Sequence, residues 1–379
     1  MIPVPRKPTR LVSAGRVPIG GASPIAVQSM VKLPMTDARA VLAQIEELAQ
    51  QGCELCRLAV PDHAALEVFG WVAKRSPLPL VADVHFDYRL ALGALRAGAA
   101  KLRVNPGNLG GDGPLREVAR AVATEGVPIR VGVNMGSLEP DIAAVYGYSG
   151  EAMALSAMRQ VERLEELGVD AIVISAKAHG VPVTVDAYRR LARSTPWPLH
   201  LGVTEAGPGT PGLVKSAVGI GLLLAEGIGD TIRVSLSAPA RTEVEAAYAI
   251  LASLELRRRG PELVSCPTCG RCQFDLLSLV GEVEQRLSSI REPLVVAVMG
   301  CAVNGPGEAR RADVGIAGAG PDRAVLFAQG KVVRSIPAAA AADELMAEVA
   351  RIRAGLSGTG DCGPERDDER PEGHHEQQQ

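Results

Sequence analysis

Aromatic residues are scarce in this 379-residue chain, which holds four Phe, five Tyr and two Trp. So few rings offer little for bases to stack on, and a net charge of -3 with a pI near 6.1 gives no pull towards a polyanion. Both features argue against nucleic-acid binding. Long apolar runs are missing as well: no stretch reaches the roughly 18 residues that a membrane span needs, although mean hydropathy is slightly positive at +0.12. The apolar surplus therefore belongs to a globular core. The opening MIPVPRKPTR is polar and proline-rich with no apolar segment behind it, so no secretory leader is expected and the expected compartment is the cytoplasm. Cysteine is sparse and odd in number, seven in all, which suits a reducing compartment. A chain this long can bury a core without covalent staples.

What is present, from about residue 25 to 255, is one repeated unit: a short β-branched run, a turn, and an amphipathic stretch rich in Ala, Leu, Glu and Arg. Eight such runs occur, ending at Met30, Val60, Val84, Asn105, Asn134, Ala176, Val203 and Leu236. Between them lie segments with helical spacing, such as DARAVLAQIEELAQQ and EAMALSAMRQVERLEELG. Alternating strands and helices imply parallel strands with crossover helices, and eight units imply a TIM (β/α)8 barrel over residues 1–258, with a doubly wound sheet as the competing arrangement. Beyond residue 259 the pattern changes. A cysteine loop, a helix-like segment, a strand, a second loop, a hairpin-like pair and a closing helix predict a smaller α+β domain over 259–355. The polar, charged stretch 356–379 predicts a disordered tail. Its Cys362, His374 and His375 are expected to have no role.

Charged residues fall where a barrel interior is least able to tolerate them. Side chains two apart on a strand share a face, which pairs Arg103 with Asn105, Arg130 with Asn134, Arg233 with Ser235, and Asp83 with His85. Arg57 lies within its run, Lys177 directly follows the sixth, and Glu205 lies just beyond the seventh. All sit at or near strand C-terminal ends, where barrel enzymes place their chemistry. Internal ion pairing alone does not balance this set: five cations (Arg57, Arg103, Arg130, Lys177, Arg233) face two carboxylates (Asp83, Glu205). The surplus calls for an anionic guest, and guanidinium forks suit the oxygens of a small diphosphate. The glycine-rich NPGNLGGDGP lacks the spacing of a phosphate-binding fingerprint and is read as a loop offering Asn105 and Asn108 to the mouth.

Three thiols crowd into SCPTCGRC as Cys266, Cys269 and Cys272. The Cys-x2-Cys-x2-Cys run suits an iron-sulfur site, zinc is the alternative, and a redox dithiol is a third. A fourth ligand must come from elsewhere, and GCAVNGPGEA offers Cys301 and Glu308. Cys53 and Cys56, also two residues apart, lead into a strand and are read as small buried hydrophobes.

Taken together, PIAVQSM, VADVHFDYRLAL, KLRVNPGN, PIRVGVN, PLHLGVTEAG, KSAVGIGLLLAEGIGDTIRVSL, SCPTCGR and GCAVNGPGEA, in that order, resemble the bacterial 4-hydroxy-3-methylbut-2-en-1-yl diphosphate synthases of the non-mevalonate isoprenoid pathway. The resemblance runs from about residue 8 to 355. It implies a barrel joined to an iron-sulfur domain like those of sulfite and nitrite reductases, and a homodimer. It also implies a 4Fe-4S cluster on Cys266, Cys269, Cys301 and Glu308, with Cys272 a bystander. The implied reaction opens and dehydrates 2-C-methyl-D-erythritol 2,4-cyclodiphosphate with two electrons, donated by flavodoxin or ferredoxin. In the implied site Arg57, Arg103, Arg130, Lys177 and Arg233 hold the diphosphate. Asp83, Asn105, Asn134, Ser235 and His85 make polar contacts, and Glu205 moves a proton.

The chain departs from the family's usual pattern on the substrate side. VKLPMTD replaces a threonine- and asparagine-rich loop after the first strand, Lys177 is followed by Ala-His-Gly, and SLSAPARTEV replaces a stretch containing Ala-Asp-Pro. These changes raise two competing expectations: a divergent paralogue acting on a related diphosphate, or a non-catalytic metal-binding protein.

Overall fold

The computed structural model describes residues 4–105, 109, 111–272, 274–301 and 312–357. Asn108, Glu308 and the C-terminal stretch from 358 onward, with Cys362, His374 and His375, lie outside the described residues. The chain divides into two compact units between Arg258 and Arg259.

The first unit is the expected barrel. Its parallel strands are β3 (Ala26–Met30), β4 (Leu55–Ala59), β5 (Leu80–Asp83), β6 (Lys101–Val104), β7 (Ile129–Asn134), β8 (Ile172–Lys177), β9 (His200–Leu201) and β10 (Thr231–Ile232). They are hydrogen-bonded in the order β8-β7-β6-β5-β4-β3-β10-β9, and a bridge between Ile174 and Leu199 joins the two ends. A ring, rather than an open sheet with a switch point, sets the doubly wound alternative aside. The last two strands are only two residues long, shorter than their apolar runs suggested. Both runs turn glycine-containing or polar at their ends, so the backbone leaves the ladder early and becomes loop at the mouth.

Helices α1 (Ala38–Gln50), α2 (His63–Ala73), α3 (Tyr88–Arg96), α4 (Asp112–Glu125), α5 (Pro140–Tyr146), α6 (Gly150–Glu166), α7 (Val181–Ser194), α8 (Gly209–Ala225) and α9 (Ala240–Ser253) return the chain between strands or after the last. Three start on aspartates whose carboxylates accept first-turn N–H groups: Asp37 from Arg39 and Ala40, Asp62 from Ala65, and Asp87 from Arg89. Their apolar stripes close on the strands around buried Trp197, Tyr188 and Phe69. No helix among the described residues is long and apolar enough to cross a membrane.

Before the barrel comes a hairpin, β1 (Val12–Ala14) and β2 (Val17–Ile19). Lys7 N–H donates to the Gly227 carbonyl and Arg10 N–H to that of Pro196, while Gly15 lies against Pro79 and Ala100. Asp230 accepts from Thr9 Oγ1 at 2.8 Å and from Leu199 N–H at 2.8 Å, with Arg6 3.4 Å away. These partners precede β5, β6, β9 and β10, so the segment lies across the strand starts.

The second unit carries a five-stranded sheet: β11 (Glu262–Ser265), β12 (Val295–Met299), β13 (Val314–Gly318), β14 (Arg323–Ala328) and β15 (Lys331–Pro337), in that order. The first three are parallel, and the last two complete an antiparallel meander. Helices α10 (Leu276–Leu287) and α11 (Ala341–Ser357) cover it. Leu279, Val283 and Leu345 join Val296, Val298, Ile316 and Leu326 in its core. This is the mixed α+β arrangement that the sequence pattern predicts.

Candidate active site

Strand register brings Asp83, Arg103 and Arg130 to one level of the barrel, with Arg130 near the start of β7 and not at the C-terminal end that the sequence suggested, and sets Asn134 and Lys177 at the strand ends. Ala59 pairs with Asp83, Asp83 with Arg103, and Arg103 with Arg130, while further round the ring Asn134 pairs with Lys177. All of these strands are parallel, so matched positions lie at matched depth and their side chains face the same interior.

Asp83 is the centre of this group. One oxygen accepts from Arg103 Nη1 at 3.1 Å, and the other lies 3.7 Å from Arg57 Nε. His85 Nε2 is 3.5 Å from the first oxygen and 2.7 Å from Arg103 Nη1. Burial works against ionisation of Asp83, but the bond from His85 and the charges of Arg57 and Arg103 outweigh it and hold the carboxyl well below the usual carboxylate range. The cations feel the reverse. Burial, opposed by Asp83, pushes Arg57 down to about 10. Burial and the neighbouring cations push Arg130 and Lys177 well below their ordinary values. Arg130 is only 1% exposed and its Nε and Nη1 find no acceptor among the described residues; the same holds for the Nε of Arg103 and of Arg233.

Two glycines make room for these long side chains. A Cβ on Gly132 would stand 2.6 Å from Arg103 Nε, and one on Gly202 would stand 2.6 Å from Lys177 Nζ. Any larger residue at either place would displace the cation beside it.

A cavity of about 310 Å³ opens at this end, lined by Lys32, Glu205, Gly207, Arg233, Ser235, Leu236, Ser237 and Ala238. Glu205 sits in the loop after β9 in the left-handed region, φ 52°, a costly conformation for a residue with a side chain and one that clusters at functional sites. Asn105 is buried immediately beyond β6. Asn134 ends β7, where its N–H donates to Ser137 Oγ at 3.2 Å. The structure thus brings Asp83, His85, Arg57 and Arg103 into one bonded cluster, and Glu205, Arg233 and Ser235 around one cavity.

Three charged residues of this interior escaped the strand-end count. Glu243, on α9 and 1% exposed, accepts from Arg233 Nη2 at 3.2 Å and from Leu236 N–H at 2.9 Å. Its signal lay in helical spacing, since Glu243 falls beside Ala240, Val244 and Ala247 on the buried face. Lys32, in the altered first loop, pairs with Glu243 at 2.9 Å. Lys101 is fully buried at the start of β6, on the same face as Arg103 by strand alternation, and its Nζ finds no acceptor among the described residues.

In the second unit, β11 and β12 run parallel with Ser265 beside Val298, so Cys266 and Cys301 leave adjacent strands at the same edge. Cys266, Cys269 and Cys301 line one cavity of about 120 Å³, together with Thr268, Arg271 and Met299. Gly300 N–H donates to Cys266 Sγ at 3.2 Å. Hydrogen bonds from the Arg271 backbone and side chain lower the Cys269 thiol from its ordinary value, which favours the thiolate a metal requires. Cys272 does not line that cavity; its thiol donates to the Phe274 carbonyl at 3.3 Å and lies where a Cβ on Gly300 would meet it at 2.6 Å. No three or more His, Cys, Asp or Glu side chains among the described residues converge as ligands of a single ion. A four-iron cluster makes a different demand, one thiolate for each corner around a central volume, and three thiols spaced about a cavity suit it. Cys53 and Cys56 are buried in the barrel wall, and burial pushes the Cys53 thiol up to about 12.

Fold and site together define an enzyme of the α/β-barrel class with a cationic mouth, carried on one chain with a cysteine-bearing α+β unit. Comparison with known proteins narrows this. Residues 9–248 match the GcpE TIM-barrel domain and residues 262–351 the GcpE protein C-terminal domain. The 4-hydroxy-3-methylbut-2-en-1-yl diphosphate synthase (flavodoxin) of Geobacter sulfurreducens is 54% identical over 91% of this chain and 98% of its own. The enzyme of the same name from Symbiobacterium thermophilum is 52% identical over 87% and 90%. Among solved structures, dihydropteroate synthase from Yersinia pestis covers 65% of this chain and 98% of its own at 15% identity and a TM-score of 0.48, a likeness too slight to bear on function. The chain belongs to the GcpE family.

Proposed function

We propose that this chain catalyses the reductive ring opening and dehydration of 2-C-methyl-D-erythritol 2,4-cyclodiphosphate to (E)-4-hydroxy-3-methylbut-2-enyl diphosphate, a step in isoprenoid precursor biosynthesis. The observation that carries the reading is the set of desolvated cations around Asp83, whose surplus charge suits a small diphosphate, in a chain of this family. Arg57, Arg103, Arg130, Lys177 and Arg233 hold the diphosphate oxygens. Asp83 keeps the arginines of its cluster aimed and, with Asn105, Asn134, Ser235 and His85, meets the hydroxyls. Two electrons enter, the ring C–O bond breaks with its oxygen remaining on phosphorus, and a hydroxyl takes up one proton and leaves as water. Glu205, beside the cavity, supplies that proton.

Cys266, Cys269, Cys301 and Glu308 hold a 4Fe-4S cluster, which supplies electrons singly when bound. The three described thiols and their cavity support this assignment, and a carboxylate as fourth ligand leaves one corner exchangeable. Flavodoxin or ferredoxin is the donor, and the protein works as a cytoplasmic homodimer. The apolar stripe Leu213, Val214, Val218 and Leu222, exposed along α8, supports association with a second copy. A divergent paralogue and a non-catalytic metal-binding protein are set aside, because relatives sharing about half of this sequence carry the synthase name.

The test is anaerobic reconstitution with iron and sulfide, then incubation of the full chain with the cyclic diphosphate and a strong reductant, with products read by mass. Formation of hydroxymethylbutenyl diphosphate is expected. An intact cluster spectrum with no turnover would overturn the substrate, and failure to bind a cluster would overturn the assignment of the thiols.

A further inference from the structure

The loop after β3, VKLPMTD, carries a lysine to which the structure gives a defined place. The Lys32 backbone N–H donates to Gln44 Oε1 at 2.9 Å, which fixes the loop to α1. The side chain then reaches across the mouth. Its ammonium donates to the Leu236 carbonyl at 2.8 Å and to the Ala238 carbonyl, and it lies 2.9 Å from Glu243 Oε1. Three N–H bonds meet three acceptors, so the ammonium has no donor left for a phosphate.

Glu243 is shared. The same buried carboxylate accepts from Arg233 Nη2 at 3.2 and 3.3 Å, from Leu236 N–H at 2.9 Å, and from Ser29 Oγ at 3.4 Å. Arg233 lines the cavity beside Lys32, Glu205 and Ser235. Lys32, Arg233 and Glu243 together carry one net positive charge. Without Lys32 the remaining pair is neutral, and Glu243 has Arg233 as its only cationic partner among the described residues.

We infer that Lys32 is a positioning residue for the diphosphate: held over the mouth by the Leu236 and Ala238 carbonyls, it occupies Glu243 and so leaves the Arg233 guanidinium available to the anion. The inference rests on the proposed diphosphate reaction and adds to it how the altered first loop takes part. Lys32 acts on binding through Arg233, not by contact with the reacting carbons.

The experiment uses the full chain with its cluster reconstituted, in wild type, K32M, K32R, E243Q and K32M/E243Q forms. Steady-state turnover of the cyclic diphosphate and binding of inorganic pyrophosphate are both measured. Expected for K32M is a rise of about tenfold in KM and in the pyrophosphate Kd, with kcat within about twofold of wild type. K32R should restore most of the loss. In the E243Q background, where there is no carboxylate to compete for, K32M should change either constant by less than about twofold. An unchanged KM in K32M, an equal fall in kcat, or a full K32M effect surviving in the E243Q background would each overturn the inference, the last by making Lys32 a direct ligand. If wild type does not turn over the cyclic diphosphate, the proposed reaction fails, while the pyrophosphate constants still decide the role of Lys32. Should K32M not fold, K32Q, which keeps a donor for the two carbonyls, takes its place in the same comparison.

Discussion

The barrel mouth and the thiol cavity are built on opposite plans. At the mouth most charges stand on or directly beside strands, and the buried carboxylates Asp83 and Glu243 bind several partners each. The thiols stand instead on loops. Cys269 is exposed, and the described restraints within the loop are few, chiefly Cys272 N–H to the Cys269 carbonyl at 2.9 Å and the bond from Gly300 to Cys266. A cationic pocket must be held rigid by its own framework, since mutual repulsion would otherwise spread it. Thiols that bind a cluster gain their rigidity from metal-ligand bonds, so the polypeptide needs only to bring them near.

Substitutions can break this contrast in either unit. The largest effect is expected from Cys266→Ser, which should abolish cluster incorporation and reduce turnover to background, whereas Cys272→Ser should keep both; iron content and visible absorption before assay would separate them. Equal loss in both variants would make Cys272 a ligand and not a bystander.

Next in size is Asp83→Asn. Removing the carboxylate leaves Arg57 and Arg103 buried without their shared partner, a loss of about 3–5 kcal/mol in barrel stability. Denaturant unfolding would measure it. The same group gives a pH dependence. Its folded-state value lies below the ordinary one of about 3.9, so its contribution is complete above that pH and is lost as the pH falls further. Wild type should therefore lose stability below about pH 4 more steeply than Asp83→Asn does.

The smallest effect has the opposite sign. Burial, reinforced by Arg130 and Arg57, holds Lys101 well below its ordinary value. Burying this amine is thus a cost to the fold at neutral pH, one that fades as the pH rises towards about 10.4. Lys101→Met should raise the stability of the ligand-free protein by about 1–3 kcal/mol, read as a higher unfolding midpoint at pH 7. A lower midpoint would mean that Lys101 has a buried partner that stabilises it.

Much of the barrel was legible because strand parity is a local property. Alternation alone placed Arg103 with Asn105 and Arg130 with Asn134 on one face, and apolar runs marked eight strands. Parity does not report depth, which is why Lys101, two residues before Arg103, went uncounted. It is also blind to helices, so Glu243 on α9 was missed although it satisfies Arg233. The VKLPMTD loop read only as a departure from the family's threonine- and asparagine-rich loop. In the fold its lysine reaches carbonyls some 200 residues along the chain, at Leu236 and Ala238, a pairing that no local pattern encodes.

The segment lying across the strand starts has a kinetic consequence. With Lys7, Arg10 and the first hairpin fastened beneath β5, β6, β9 and β10, the mouth serves as both entrance and exit. On the proposed reaction, substrate, product and the released water share that one doorway, and the product diphosphate is expected to compete with its own precursor for the cations at the mouth, which product-inhibition kinetics would read.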